Sequence, residues 1–325
     1  MNRLVRLVHI CMSLWLSATA WAADPAAGFP SRAIRIITGS PGSTSDLAAR
    51  LMAQKFTEGW GQQAVVDNRP GAGGIIGVEI AAKSTPDGHT LVIGHVGTHA
   101  SAPSLFKELA YDPVRDFAPL SNIVNVGIVL VVNPSVPATG LKDFIAYAQS
   151  TPGGINYGSP GGGTSGNLTG ELVNVVTKAK MQHVPYKGAG FALTSVVAGE
   201  TQASFLATST AAAQVRAGKL RAIAVIRKTR FPGMPDVPSA AEAGFPDLEA
   251  NAWFGLFAPA KTPKPVVAKL NREIVRVLGL KDVQDLLFKV GAEAAPTSPE
   301  EFGVYVKSEI VKWTRVVQES GATAY

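Results

Sequence analysis

Four glycine-rich segments hold most of the residues that could do chemistry. The first is Gly39-Ser40-Pro41-Gly42-Ser43-Thr44-Ser45-Asp46, which follows an apolar run and opens a helix-like one. Free backbone N–H groups and the helix dipole at such a point attract anions. The hydroxyls of Ser40, Ser43, Thr44 and Ser45 add donors. The competing reading is a plain turn in which Thr44 or Ser45 caps the helix and Asp46 favours its first turn. The second segment is Asn68-Arg69-Pro70-Gly71-Ala72-Gly73-Gly74. Arg69 could pair with a carboxylate, but a tight turn with close backbone packing explains the glycines better. The third, Gly94-His95-Val96-Gly97-Thr98-His99, places two histidines four apart in what reads as a loop. A metal site needs three or more ligands and no third is adjacent, so no metal is expected. Gly97, Thr98 and His99 read instead as backbone and side-chain donors for an anion.

The fourth segment, Tyr157 to Gly166, contains Ser159, Gly163, Thr164 and Ser165. Gly161, Gly163 and Gly166 satisfy G-x-G-x-x-G between a strand and a helix. A dinucleotide site would want an acid about 20 residues on, and Met181 to Gly190 has no Asp or Glu. No cofactor is therefore expected, and the segment reads as a second anion-binding loop. Enzyme chemistry finds little support. The nucleophile elbow G-x-S-x-G is absent, no Ser-His-Asp set stands at a characteristic spacing, and no carboxylate pair flanks the glycine loops. Cys11 is the one cysteine and falls in the N-terminal segment.

These loops need rigid elements to aim them. Strand-like runs at 33–38, 64–67 and 90–94 alternate with helix-like runs at 45–56 and 75–83, the order of a parallel sheet covered by helices. An apolar strand spans 124–132 and a helix 142–150. The strand–glycine loop–helix unit then recurs at 155–157 and 164–177. Further strands follow at 181–185, 202–206, 220–226 and 252–258. Helices at 265–278, 281–290 and 299–318 close the chain, the last capped by Ser298. With 325 residues, two α/β domains are expected. In open parallel sheets ligands sit beyond the carboxyl ends of the strands, so two facing sheets would hold a ligand between them.

Composition limits the setting. At 46% hydrophobic and 17% charged the chain is not disordered. Arg3 and Arg6, the apolar run to Ala20 and the Ala20-Trp21-Ala22 pattern read as a secretory leader over 1–23, cleaved near Ala22-Ala23. Its loss would lower the net charge from +6 to +4 and leave a chain free of cysteine, which suits a bacterial periplasm. No basic run or stripe suggests nucleic acid.

Several motifs together resemble the tripartite tricarboxylate transporter substrate-binding family, the Bug-type periplasmic receptors. They are Asp67-Asn68-Arg69-Pro70-Gly71-Ala72-Gly73-Gly74, Pro86-Asp87-Gly88-His89-Thr90-Leu91, Tyr111-Asp112-Pro113-Val114-Arg115-Asp116-Phe117, Asn156-Tyr157-Gly158-Ser159, Val184-Pro185-Tyr186-Lys187-Gly188, Ala217-Gly218-Lys219-Leu220-Arg221 and Asp236-Val237-Pro238-Ser239. The resemblance covers nearly the whole chain after the leader. It implies an α/β two-domain periplasmic binding protein, a type II-like Venus flytrap with its cleft between two Rossmann-like sheets. Domain 1 would comprise 24–124 and 251–325, and domain 2 would comprise 125–250. It also implies capture of a small carboxylate through amides, hydroxyls and water, and delivery to membrane transporter subunits by a monomer. The ligand-binding residues it implies are Ser40, Gly42, Ser43, Thr44, Asp46, Gly97, Thr98, His99, Ser159, Gly163, Thr164 and Ser165.

Three departures from the family pattern bear on the ligand. Gly39 stands where an aromatic residue is usual and Gly42-Ser43 where paired glycines are. Asn167 stands where histidine is common, and Leu206 and Ala207 where an acid is. These changes imply a ligand without an amino group, bulkier or more apolar than a short dicarboxylate. The alternatives are a receptor that signals to a membrane partner and, further off, an exported hydrolase on the same fold.

Overall fold

The computed structural model describes residues 26–324, so the expected leader and its cleavage point lie outside the described residues. The chain opens with β1 (Ile34–Thr38), α1 (Thr44–Trp60), β2 (Ala64–Asn68), a 3-10 turn (Ala72–Gly74), α2 (Ile75–Ala82) and β3 (Thr90–His95). β1 pairs in parallel with β2 and β3. Ile34, Ile36 and Ile37 are fully buried, as a strand covered on both faces requires. α1 buries Ala48, Met52 and Phe56 against this sheet and ends at Gly61, whose left-handed backbone lets its N–H reach Thr57 O at 3.0 Å.

The segment read as a loop after β3 is a π-helical turn, Val96–Ser101, running into the short α3 (Ala102–Leu105). Single π turns are rare and have no sequence period of their own. β4 (Phe117–Val132) follows and starts seven residues before the expected 124. Its first half was hidden by Pro119, Ser121 and Asn122, which sit at two irregularities in its pairing with a later strand.

The middle of the chain supplies α4 (Leu141–Ser150), β5 (Ile155–Ser159), α5 (Ser165–Thr177), β6 (Met181–Pro185), α6 (Ala189–Ala198), β7 (Ala203–Ala207), α7 (Thr208–Arg216) and β8 (Arg221–Val225). Here β5 pairs in parallel with β6 and β7. α6 and α7 are additional to the helices expected from the sequence. α6 carries Gly190 and three β-branched residues, and it forms because Ala192 and Val196 are buried against the sheet.

The chain returns through β9 (Asn251–Pro259), α8 (Lys264–Leu278), α9 (Lys281–Lys289), the two-residue β10 (Glu293–Ala294) and α10 (Pro299–Ser320). Ser298 caps α10 as expected. Its hydroxyl accepts from Glu301 N at 3.2 Å while Glu301 Oε2 accepts from Ser298 N at 2.9 Å.

Two half-sheets result, joined through β4. Its Phe117–Gly127 portion pairs with β9 beside β3, β1 and β2, and its Ile128–Val132 portion pairs with β7 beside β5 and β6. The two β-α halves thus face one another across the β4–β9 ribbon. Trp253 of β9 and Trp313 of α10 both donate to Glu309 Oε2, at 3.0 and 2.9 Å, which fixes the last helix to the ribbon. Gly94 and Gly255 oppose each other in the β3–β9 register. A Cβ on Gly94 would lie 2.6 Å from Phe257 Cε2, and one on Gly255 2.5 Å from Phe302 Cε1. Both glycines leave room for an aromatic stack in which His99 lies on Phe257 at 4.1 Å between ring centroids and Phe257 meets Phe302 at 4.9 Å.

Candidate functional site

A cavity of about 450 Å³ lies between the halves, where the carboxyl ends of β1 and β5 point at each other. Each strand leads into a loop and then a helix N-terminus, and the two loops are built alike. In the first, Ser43 caps α1 and its hydroxyl accepts from Asp46 N at 3.2 Å. Asp46 reaches back to accept from Gly42 N at 2.9 Å. In the second, Thr164 caps α5 and accepts from Asn167 N at 3.4 Å, while Asn167 Oδ1 accepts from Gly163 N at 3.0 Å. The helix residue three past each cap thereby takes up the loop N–H just before it. The next two amides, of Thr44 and Ser45 in one loop and Ser165 and Gly166 in the other, have no protein acceptor among the described residues and belong to wall residues.

The first loop is held from behind. Asn68 Nδ2 donates to Gly39 O at 3.0 Å and to Asp46 Oδ1 at 2.8 Å, and Arg50 Nε donates to Asp46 Oδ2 at 2.9 Å. Burial pushes the Asp46 carboxyl up, but these donors and the Gly42 N–H outweigh it and hold it below the usual range. Asp46 is therefore an anion already spent on the loop. Asn68→Ala would leave Gly39 O and Asp46 Oδ1 short of a donor, and a loss of about 1–2 kcal/mol in urea denaturation is expected. In the second loop Asn167 Nδ2 donates to Tyr157 Oη at 3.0 Å, and Tyr157 Oη donates to Glu171 Oε1 at 2.6 Å.

Ser40, Ser43, Thr44, Gly97, Gly163, Thr164 and Ser165, all singled out from the sequence, line the cavity. The structure leaves the other five outside the lining: Asp46, Thr98, His99 and Ser159 are buried behind the wall, and Gly42 is exposed on the loop. Thr98 accepts from His95 N at 3.1 Å, His99 is sealed in the aromatic stack, and Ser159 Oγ lies 2.6 Å from His183 Nε2 and accepts from Gly161 N at 3.1 Å. These five shape the lining rather than form it.

His95 was passed over in favour of His99, yet it is the histidine at the wall. Its Nδ1 accepts from Gly97 N at 3.1 Å, and its other side meets the Gly73 backbone. Burial lowers its pKa to about 4, against a smaller opposing pull from Gly73, so it is neutral at pH 7. Among the described residues, no group of three or more His, Cys, Asp or Glu is placed to hold a metal ion.

The turn at Gly71–Gly74 also enters the wall, where the sequence suggested only packing. Its four residues all have positive φ, Ala72 included at 45°. Three of the four are glycine, as that backbone demands. The apolar wall was not foreseen residue by residue. Val126 and Ile128 of β4 and Ala252 and Phe254 of β9 project from the ribbon, with Phe205 and Leu105 beside them. Alternation marks one face of each strand, but only the pairing of β4 with β9 shows that this face meets a cavity. Of the departure positions, Gly39 and Ala207 line the cavity, while Leu206 and Asn167 are buried behind it. No Asp, Glu, Lys or Arg among the described residues contributes to the wall.

The halves meet at the cavity mouth. A Cβ on Gly97 would lie 3.8 Å from Gly163 O, and one on Gly162 would lie 2.8 Å from Thr323 O, so the chain's last described residues cover the second loop.

Comparison with known proteins agrees with this arrangement. A family model described as "Tripartite tricarboxylate transporter family receptor" matches residues 48–322. Protein BugT of Bordetella pertussis is 33% identical over 330 residues, covering 99% of this chain and 98% of that one. The solved structure described as R. palustris Rpa4515 with adipate has a TM-score of 0.79 at 33% identity, over 91% of this chain and 99% of that one. MatC (Rpa3494) from Rhodopseudomonas palustris with bound malate has a TM-score of 0.75 at 35% identity, over 89% and 100%.

Proposed function

The chain belongs to the tripartite tricarboxylate transporter receptor family, a family of periplasmic solute-binding proteins, and from that premise we propose that its cavity captures a small carboxylate with an apolar body and presents it to a membrane transporter. The observation that carries this reading is the pairing of two capped helix N-termini across a cavity without a charged side chain. A carboxylate at either end would take two free amides and a hydroxyl, of Thr44 or Ser165, with a helix dipole behind them. The middle of the ligand would lie against Val126, Ile128 and Phe254. The relatives bound to adipate and malate supply the ligand class, and the apolar ribbon favours the longer, unsubstituted chain of adipate.

The same wall argues against amino acids. An ammonium brought into this cavity would find no carboxylate, and an unpaired buried charge is costly. The absence of an acid at Ala207 is thus a selectivity feature. In this reading the protein works as a monomer, is exported by a leader cleaved near Ala22-Ala23, and closes as two domains of 24–124 with 251–325 and 125–250.

A thermal-shift panel of adipate, malate, benzoate and glutamate tests the proposal. Adipate or benzoate is expected to raise the melting temperature saturably, malate less, and glutamate not at all. At 100 times its dissociation constant a ligand adds about 2.7 kcal/mol. Micromolar binding of glutamate would sink the selectivity argument. No shift with any carboxylate would sink the ligand class.

A further inference from the structure

A second concavity, of about 890 Å³, lies on the outer side of the first half between α8 and α10, and it shares no lining residue with the cavity between the halves. Its floor is apolar, from Phe117 and Pro119 of β4, Phe257 of β9, and Val267 and Val306. The rim carries Lys264, Arg272 and Lys307, opposed by Glu300 alone. None of the three cations has an ion-pair or hydrogen-bond partner among the described residues, although most charged side chains of the neighbouring helices are paired, as in Arg276 with Glu273 at 2.6 Å and Lys281 with Asp285 at 3.1 Å. At the lip, Val304 is 70% exposed and Val114 42%.

The spacing of the charges indicates the occupant. Lys264 and Arg272 are eight residues apart on one helix, a span of about 12 Å. That is too long for the carboxylates of one small acid. It fits carboxylates about two turns apart on a helix whose intervening apolar side chains enter the groove, a known mode of recognition. We propose that this groove docks an acidic, amphipathic helical segment of a partner protein, with Lys264, Arg272 and Lys307 meeting its carboxylates and Phe117, Phe257 and Val304 its apolar face. Phe257 gives the groove a route to the ligand cavity. Phe257 borders the groove floor and its ring stacks on His99, two residues from the wall residue Gly97.

A photo-reactive residue at Val304, in cells that naturally make the protein, tests this. The expected product is a cross-link to one membrane-associated polypeptide. The joined segment, read by mass spectrometry, should combine Glu or Asp at helical spacing with apolar residues. That segment, made as a peptide, should bind the purified protein and lose at least tenfold in affinity against Lys264→Glu/Arg272→Glu/Lys307→Glu. All three positions are exposed, so this variant should melt with the wild type; Val304→Asp gives a second, single-site check. Four results would overturn the proposal: no cross-link, a cross-link to a second copy of this chain, a segment whose binding ignores the charge reversal, or binding only to phosphatidylglycerol vesicles. None of these outcomes depends on which solute fills the inner cavity.

Discussion

Taking the protein from pH 7 to pH 5 is expected to remove about 2–4 kcal/mol of folding stability. The cause is histidine buried without charge. His99 is fully buried, stacked on Phe257 and close to Thr98 Oγ1 at 3.0 Å, and its Nε2 has no partner among the described residues. Burial, with a smaller contribution from neighbouring His95, lowers its pKa to about 3. In the unfolded chain a histidine takes up its proton near pH 6.5. Both states are neutral above that value, and the stability is fully present. Below it only the unfolded state binds the proton, so stability falls steadily toward the folded pKa. At pH 5 this amounts to about 2 kcal/mol for His99. His95 shifts in the same direction but has an edge on the cavity, and so adds up to a similar amount. Urea denaturation at pH 7.5, 6 and 5 measures the loss. His99→Phe should keep the aromatic stack and remove about half of the pH dependence. Equal stability at pH 7.5 and pH 5 would show that the ring finds a way to ionise in place.

Gly94→Ala is expected to cost about 3 kcal/mol, or about 6–10 °C in melting temperature. The added methyl would stand 2.6 Å from both His99 Cε1 and Phe257 Cε2. Neither ring has an easy retreat. His99 belongs to the π-helical turn, and Phe257 leans on Phe302, whose own position relies on Gly255 having no side chain. The strain would also move Gly97, which lines the cavity in the same turn. Ligand affinity should therefore fall together with stability. Calorimetric unfolding and a ligand titration of the same variant check both. A variant as stable as the wild type would mean the rings can slide, and the stack would lose its assigned part in holding the turn.

Much of the fold was legible because its elements have strong local signals. β6 lies at 181–185 as read, and α10 begins at its Ser298 cap. Both glycine loops lead from a strand to a helix N-terminus, as their composition suggested. What escaped depended on tertiary contact. α6 mixes helix formers with Gly190 and β-branched residues, and α7 is only nine residues long with no side-chain cap; both form against a sheet. The first half of β4 is interrupted by Pro119 and by polar residues that its partner β9 accommodates. At the site, residue type pointed to loops that border the cavity but not to which side of each loop faces it. Asp46 and Ser159 have the chemistry of ligand contacts, yet both are occupied with backbone amides. Phe254 and Val126 carry no polar signal and become wall residues only because the ribbon passes beneath the cavity.

That ribbon does two jobs with the same residues. The β4–β9 pair is the joint between the halves, and Val126, Ile128, Ala252 and Phe254 on one of its faces are also wall. Sliding one strand by a single residue would turn those side chains out of the cavity, since strand faces alternate. The joint is therefore held against shear. In the proposed reading, a solute resting on Val126 and Phe254 would lie on the joint itself and act as a spacer there. If the halves close on the solute as proposed, the angle at which they settle would be a gauge of its girth. A membrane partner that recognises the closed shape could thus tell a slim acid from a broad one without touching either.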